Sequence, residues 1–585
     1  MNRNSEYDKF PVISVQGVRN CAWQEWSSII EQIRGQIAKG ARRLAIECYP
    51  GVFEDEISAA FSEGLMPVHV VLVRDAYKSP GDIEAMTSRE LTDDPVFGRM
   101  NGFVIKDFVD PVRTASLRKQ LNRTPDGITL VIGTGTSLIE PNPEILIYAD
   151  LPRWEIQQRQ RSNKISNLAI ENRHESPGQR YKRGYFLDWR VADRIKKELL
   201  NKIDFLLDTT DPHTPKMVTG EAFRAALRLA TTRPFRVVPF FDPGPWGGQW
   251  MREVCGLDAE SPNYAWCFDC VPEENSIRFA FGNVVIEVPA VDLVFQHPRE
   301  LLGDAVHARF GTEFPIRFDF LDTMEGGNLS LQVHPLTEYI QDKFGIAYTQ
   351  DESYYLLDAA PDACVYLGLK SNIDREQMGT ELRQAQENGT WFDTDKYVNK
   401  WHARRHDHFL IPAGTIHCSA RNSMVLEISA TPYIFTFKLW DWGRPGLDGK
   451  PRPIHLDHGL ANIQWDRDTE WVKDNLINRV CPVARGPGWT EERTGLHTRE
   501  FIETRRHWFE NPVIHENRGS VHVLNLVEGE AAVIDSPDRS FDEFVVHYAE
   551  TFIVPAAVEK YRVRPLISQS NKKCATIRAS VRIGS

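Results

Sequence analysis

Three short segments carry residue types and spacings suited to holding a metal ion. In GGNLSLQVHP (326–335), strand alternation points Ser330, Gln332 and His334 to one face and Leu331 and Val333 to the other. Polar groups at every second position between aliphatic ones suit the lining of a cavity. A neutral imidazole nitrogen binds zinc, iron or nickel; a buried histidine can equally be held by hydrogen bonds alone, and this segment leaves both readings open. In HDHFLIPAGTIHCSA (406–420), Pro-Ala-Gly makes a tight turn between two strands and His417 follows it by three residues, so the turn would re-aim it inward. The neighbours His402, His406 and His408 read as surface residues. In QDESYYLLDA (350–359), Glu352 opens a strand and offers a carboxylate.

The elements around these segments fall into two kinds of text. Residues 1 to about 215 alternate strand-like runs (VISVQG, RRLAIECYPG, ITLVIGTGTSLI, EILIYADLP) with helical ones (WQEWSSIIEQIRGQIAKGA, ISAAFSEGL), the rhythm of a parallel α/β sheet. The rhythm changes near 216–235, where one more helix, GEAFRAALRLATT, precedes the next region. Short strands punctuated by Pro, Gly and Asp follow, as in a sandwich or barrel, with one helical interruption near 374–388. Within the β region DHFLIPAGTIH (407–417) is echoed by ETFIVPAAVEK (550–560), which predicts two similar β units. The second has Lys560 where the first has His417, so the metal site is expected in the first alone. The predicted partition is 1–215, 216–490 and 491–585.

Composition narrows the function classes. At about 100–200 residues per domain, 585 residues imply two to four domains. The net charge is −12, and the absence of any basic block argues against nucleic acid as a partner. No apolar run approaches the ~20 residues of a membrane helix, and the opening MNRNSEYDKF has no apolar signal core. Nine scattered cysteines read as reduced thiols, which places the chain in the cytoplasm. The one close pair, Cys267 and Cys270, has no second pair to complete a zinc site, and alternating strand burial explains it better.

Over roughly 236–585 the sequence resembles the type I phosphomannose isomerases, which are cupins with a single divalent metal. Their SIQxHP strand is similar to Ser330-Leu331-Gln332-Val333-His334-Pro335, their VPAGTxH turn to the stretch ending at His417, and their WYILDA strand to SYYLLDA after Glu352. Trp246-Gly247-Gly248, Leu426-Glu427-Ile428, the stretch Trp440–Arg444 and Gly449-Lys450-Pro451-Arg452 match further signatures. The resemblance implies jelly-roll domains and one divalent metal, zinc by expectation, held by Gln332, His334, Glu352 and His417. It implies an aldose–ketose isomerase acting on a small sugar phosphate, mannose 6-phosphate, through an enediol. Glu427 would serve acid–base chemistry or orient a metal ligand, Lys438 would stabilise developing charge or hold phosphate, Arg444 would join the catalytic group as a further phosphate candidate, and Ser330 and Gln350 would face substrate. The chain departs from the pattern at Gln350, where the family has a substrate-contacting lysine, at Leu336 and Thr337 after the HP pair, and at Lys438, where the family has arginine. Lysine lacks the bidentate fork of arginine. These departures also admit an isomerase of another sugar, or a non-catalytic sugar-binding protein that keeps its metal.

The first 215 residues resemble a P-loop kinase of the uridine-kinase type. A working phosphate loop needs G-x-x-x-x-G-K-[ST]. The stretch aligned with it, Gly17-Val18-Arg19-Asn20-Cys21-Ala22-Trp23, has Ala22 and Trp23 where the glycine and lysine belong, and Gly133-Thr134-Gly135 is a lone glycine turn. The resemblance therefore implies a kinase-like fold without nucleotide hydrolysis.

Overall fold

A computed structural model describes residues 5–123, 127–431, 433–495, 500–566 and 573–583. The chain divides into two compact units, one of Val12–Leu229 with Ser276–Gln296, the other of Met1–Pro11, Ala230–Asn275 and His297–Ser585. No helix among the described residues is long and apolar enough to cross a membrane.

The unit of 12–229 and 276–296 is built on a seven-stranded sheet. Its order is Ala22–Gln24, Lys216–Thr219, Phe205–Asp208, Ile145–Asp150, Arg43–Cys48, Thr129–Gly133, His69–Leu72. The five strands from Phe205–Asp208 onward are mutually parallel. Numbered along the chain, they lie in the order 2-3-1-4-5 read from the His69–Leu72 edge. Ile145–Asp150 and Thr129–Gly133 are buried at every residue, as helices on both faces of a parallel sheet require. The segment 276–296 supplies a hairpin, Ser276–Phe281 with Val284–Pro289, on which Val12–Ser14 adds a parallel edge. VISVQG is thus an edge of this small sheet and not the first strand of the large one.

The phosphate-loop alignment is also corrected. Gly17–Trp23 leads into Ala22–Gln24, which is itself an edge strand paired antiparallel to Lys216–Thr219. The strand that feeds a loop and then a helix is the central Arg43–Cys48, followed by helix Glu54–Leu65. That helix opens with Glu54, Asp55 and Glu56, acids where a phosphate would need amides and a lysine. Gly133-Thr134-Gly135 is occupied internally. The Gly135 and Thr136 amides and the Thr136 hydroxyl donate to the buried Glu47 carboxylate, at 2.6, 2.8 and 2.7 Å. Gly135 sits at φ +98° with a Cβ position only 2.6 Å from Ile105, so a larger residue there would be strained and would force Ile105 to move.

The second unit consists of two antiparallel sandwiches. In the first, a six-stranded sheet (His408–Ile411, Asp351–Ala359, Ser423–Ala430, Arg317–Asp322, Trp266–Cys270, Phe240–Asp242) faces a five-stranded one (Val398–His402, Cys364–Leu369, His417–Ser419, Leu331–Val333, Phe437–Trp440). In the other, Cys481–Gly486, Trp489–Gly495, Ile502–Phe509, Cys574–Val581, His522–Glu528 and Thr551–Val554 face Val513–Glu516, Lys560–Pro565, Ala531–Asp535 and Phe544–His547. Cys481–Gly486 pairs with Trp489–Gly495, so the second sandwich starts before residue 490. The echoed segments do the same thing in each. Strand His408–Ile411 crosses through Pro-Ala-Gly to His417–Ser419 in the facing sheet, and Thr551–Val554 crosses through Pro-Ala-Ala to Lys560–Pro565.

Helix Arg375–Asn388 interrupts the first sandwich, its amino end capped by Asp374, which accepts from the Gln377 amide at 2.9 Å. Cys267 and Cys270 are both buried, although a spacing of three would place them on opposite faces, because a bulge between Phe268 and Cys270 shifts the register. All nine cysteines are free. Of the three histidines read as surface residues, His402 alone is exposed. His406 is half-buried against Glu528 at 3.1 Å, and His408 is fully buried.

Candidate metal centre

Register brings the polar residues of the five-stranded sheet into one row. Gln332 lies opposite His417 on one neighbour and opposite Lys438 on the other, and directly paired residues share a face. In the facing sheet Glu352 opens strand Asp351–Ala359, and Tyr354 two residues on is paired with Glu427, which is paired in turn with Asp319. Alternation therefore sends Glu352, Tyr354, Glu427 and Asp319 into the space between the sheets.

Four polar groups meet there. His334 Nε2 lies 3.0 Å from Glu352 Oε2 and His417 Nε2 lies 2.9 Å from Glu352 Oε1. Gln332 Nε2 is 3.2 Å from His417 Nε2. Both histidines and the glutamate are fully buried. Each imidazole is oriented through its other nitrogen: His334 Nδ1 lies 2.8 Å from the Phe435 carbonyl and His417 Nδ1 2.9 Å from the Thr415 carbonyl. A carbonyl only accepts, so each Nδ1 carries a proton and each Nε2 is the nitrogen turned toward the carboxylate. A nitrogen so placed against an anion requires a cation between them, a proton or a metal. His334 Nε2 and Glu352 Oε1 have no hydrogen-bond partner of proper geometry. Among the described residues His334, Glu352 and His417 form the one group of three or more His, Cys, Asp or Glu whose ligand atoms lie within 4.8 Å of one another. Donor atoms about 3 Å apart suit bonds of about 2.0–2.2 Å to one ion, so the residues fit a divalent metal.

The electrostatics agree. Burial works to raise the Glu352 carboxyl, but the imidazoles of His334 and His417 hold it well below the ordinary range. Burial works to lower His334, and Glu352 outweighs it, so that ring is raised. Glu427 moves oppositely: burial, then the charges of Glu352 and Asp319, push it well up. Asp319 is pushed up to about 6 by burial, against the Arg317 guanidinium beside it. Gln350 lies against the metal group, donating to Glu352 Oε2 at 3.0 Å and accepting from the Phe435 amide at 3.0 Å.

Ser330, Lys438 and Arg444 meet in an adjoining polar cluster around Asp441. Ser330 Oγ donates to Asp441 Oδ1 at 2.9 Å and Arg444 reaches the same oxygen at 2.9 Å. Arg452, which the sequence supplied only as part of a motif, donates to Ser330 Oγ at 3.2 Å and to Asp441 Oδ2 at 3.0 Å. Burial and then the charge of Arg452 bring Lys438 down to about 7. Two guanidiniums on the one carboxylate leave a local positive excess.

Sequence reasoning missed the residues that clamp the turn before His417. Arg467 donates to the carbonyls of Pro412 and Ala413 at 2.8 and 2.7 Å and to Thr415 Oγ1. Asp351 accepts from the Ala413 amide at 2.7 Å, and the Gly414 amide donates to the His334 carbonyl at 2.9 Å. Gly414 sits at φ +84°, and a Cβ there would lie 2.9 Å from the Asn462 carbonyl. Arg467 is 55 residues from Pro412 in sequence, so no local pattern could announce it.

Residues 25–232 match the model of a domain of unknown function, DUF8485. The curated relatives include mannose-6-phosphate isomerases. Mannose-6-phosphate isomerase ManA of Bacillus subtilis is 26% identical over 234 residues, 40% of this chain and 69% of that protein. The mannose-6-phosphate isomerase of Streptococcus mutans is 27% identical over 217 residues, 37% of this chain and 63% of that protein. Among solved structures, the mannose 6-phosphate isomerase from Bacillus subtilis aligns with a TM-score of 0.48 at 18% identity, covering 59% of this chain and 99% of that one. A zinc-bound mannose 6-phosphate isomerase aligns with a TM-score of 0.46 at 14% identity, covering 60% and 99%.

Proposed function

We propose that this chain is a metal-dependent aldose–ketose isomerase that interconverts mannose 6-phosphate and fructose 6-phosphate. The observation that carries the reading is the buried meeting of two Nδ1-tethered histidines with Glu352, beside the buried Glu427 carboxyl and a cationic cluster. Gln332, His334, Glu352 and His417 would hold the ion, zinc by analogy with the relatives. When bound, it would supply Lewis-acid stabilisation of the negative charge that develops on the sugar oxygens.

The remaining work falls to the chain. The reaction takes the proton from C2 of the open-chain aldose and delivers it to C1, while a hydroxyl proton leaves O2 and the carbonyl oxygen O1 gains one. Glu427 is suited to such transfers, because a carboxyl raised by burial and like charges is a stronger base when ionised and a ready acid when not. Lys438, Arg444, Arg452 and Ser330 would receive the phosphate. Gln350 would hold Glu352 in place from its neutral amide.

A second reading, an isomerase of another sugar phosphate, draws on Gln350, since its amide is engaged by Glu352 and Phe435 rather than left for substrate. The same proposal includes three domains, with the first boundary moved from 215 to near 229 and the second from 490 to near 481, jelly-roll units after the first boundary, and a cytoplasmic location. It also includes a kinase-like fold without nucleotide hydrolysis before the first boundary; the 2-3-1-4-5 strand order and the acidic helix start at Glu54 support that part.

The test is formation of fructose 6-phosphate from mannose 6-phosphate by purified protein, before chelation, after it, and with zinc restored. Turnover that vanishes on chelation and returns with zinc supports the proposal. Zinc-loaded protein without turnover on this substrate, but active on another sugar phosphate, selects the second reading.

A further inference from the structure

Both histidines of the metal centre are steadied by a backbone carbonyl, and the two supports end differently. His334 Nδ1 rests on the Phe435 carbonyl, the Phe435 amide donates to Gln350 Oε1 at 3.0 Å, and Gln350 Nε2 returns to Glu352. That circuit closes within the centre. His417 Nδ1 rests on the Thr415 carbonyl at 2.9 Å, and the support of Thr415 leads outward to Arg467. Arg467 Nη1 donates to Thr415 Oγ1 and to the carbonyls of Pro412 and Ala413 at 2.8 and 2.7 Å. Thr415 Oγ1 gives its own proton to the Pro412 carbonyl at 2.7 Å, which leaves its lone pairs for the guanidinium.

Arg467 is itself anchored. Its guanidinium lies 5.4 Å from the ring centre of Trp471, on helix Thr469–Asn475. Asp468 caps that helix by accepting from the Trp471 amide at 3.2 Å. The Arg467 carbonyl accepts from the Leu369 amide at 3.0 Å, and Leu369 ends strand Cys364–Leu369, on which His417–Ser419 pairs. Arg467 and Thr415 are both buried. A buried charge is costly unless its N–H groups are met. An apolar side chain would satisfy packing alone; the guanidinium adds directed bonds to one turn.

The stretch 462–467 also reaches the other histidine. The Leu336 amide, two residues after His334, donates to Asn462 Oδ1 at 2.8 Å. The Gln464 amide donates to the Gly414 carbonyl at 2.8 Å, and the Gly414 amide donates to the His334 carbonyl at 2.9 Å. One short stretch therefore holds the segment after His334 and the turn before His417. The two imidazoles it spaces have ring centres 4.9 Å apart. A metal ion has fixed bond lengths, so a ring that drifts from its place loses affinity for it.

We infer that Arg467 is a positioning residue of the metal centre: acting through Thr415, it fixes the His417 ring in the orientation that receives the ion. The inference rests on the metal site proposed above. Partners that orient a metal ligand from behind are worth about 10–100-fold in metal affinity.

The test compares the full-length wild type with Thr415→Val, Thr415→Ser, Arg467→Lys and Arg467→Met. Zinc affinity is read by competition with a chromophoric chelator. On metal-free protein, long-range proton–nitrogen NMR reads how fast the His417 Nδ1 proton exchanges with solvent. Thr415→Val keeps the side-chain shape and the carbonyl but removes the hydroxyl that Arg467 grips. It should bind zinc about 10–100-fold more weakly and exchange that proton faster, and Thr415→Ser should restore both. Arg467→Met should lose at least as much, and Arg467→Lys should recover part of it. If Arg467→Met does not fold, the contrast between Thr415→Val and Thr415→Ser decides. A purely structural role would lower the urea midpoint of the variants and leave both readouts of the folded protein at wild-type values, which would overturn the inference. A wild type that binds no zinc would remove the metal centre and the inference together, whereas a zinc-binding wild type with unchanged folded variants would remove the inference alone.

Discussion

Glu352→Gln tests the metal centre most directly, because it keeps the side-chain volume and removes the one anion among the four converging groups. In the wild type each carboxylate oxygen serves one histidine, at 2.9 and 3.0 Å. A glutamine presents an amide NH2 to one Nε2 and a single carbonyl oxygen to the other side, so one ligand contact is lost and no charge remains to balance a divalent ion. Removing one partner from a fully buried ionic set costs about 3–5 kcal/mol. At about 1.4 kcal/mol per tenfold, zinc affinity should fall by roughly two to nearly four orders of magnitude. Competition against a chromophoric zinc chelator at pH 7.5, with metal content measured by mass spectrometry and fold by near-ultraviolet circular dichroism, reads this directly. Because its folded carboxyl lies well below the ordinary range, Glu352 stabilises the metal-free fold above the ordinary carboxylate pKa and loses that effect as pH falls through the depressed value. The variant should therefore be less stable than the wild type at pH 6 even without metal. A natively folded variant that binds zinc within threefold of the wild type would refute the assignment of Glu352 as a ligand.

Other expectations follow from the same geometry. Lys438, brought down to about 7 chiefly by burial, must be protonated to attract phosphate, so kcat/KM for mannose 6-phosphate should fall as pH rises through about 7. Lys438→Arg should move that decline to far higher pH, and an unchanged profile would exclude Lys438 from substrate binding. Gly248→Ala would place a Cβ 2.1 Å from Asp322 Oδ1 and 2.6 Å from the Met324 backbone; overpacking of this kind costs about 1–3 kcal/mol, visible as a lowered urea midpoint. Lys196 is fully buried between Asp150 at 2.8 Å and Asp292 at 2.9 Å. Lys196→Met would strand two carboxylates and cost about 3–5 kcal/mol. Pulse proteolysis should show the loss, and adding Asp150→Asn with Asp292→Asn should recover much of it.

The sequence by itself determined what depends on local order. The alternation in Ser330-Leu331-Gln332-Val333-His334, the Pro-Ala-Gly turn before His417 and the echo at 550–560 are carried by adjacent residues. Strand period and turn chemistry translate them into structure wherever they sit. The parallel α/β text of the first 215 residues was legible for the same reason. What only the tertiary structure decided depends on contacts between residues distant along the chain. Gln332 meets His417 and Lys438 because three strands align in register. Arg467 clamps the Pro-Ala-Gly turn from 55 residues away. The segment 276–296 joins the α/β unit although β text surrounds it. VISVQG went to a small sheet and Gly17–Trp23 to an edge, since a parallel run shows no local mark of which strand is central. His408 is buried because its strand pairs with Asp351–Ala359 and Asn478 caps its amide. A side chain's chemistry is set by neighbours that the chain order does not name.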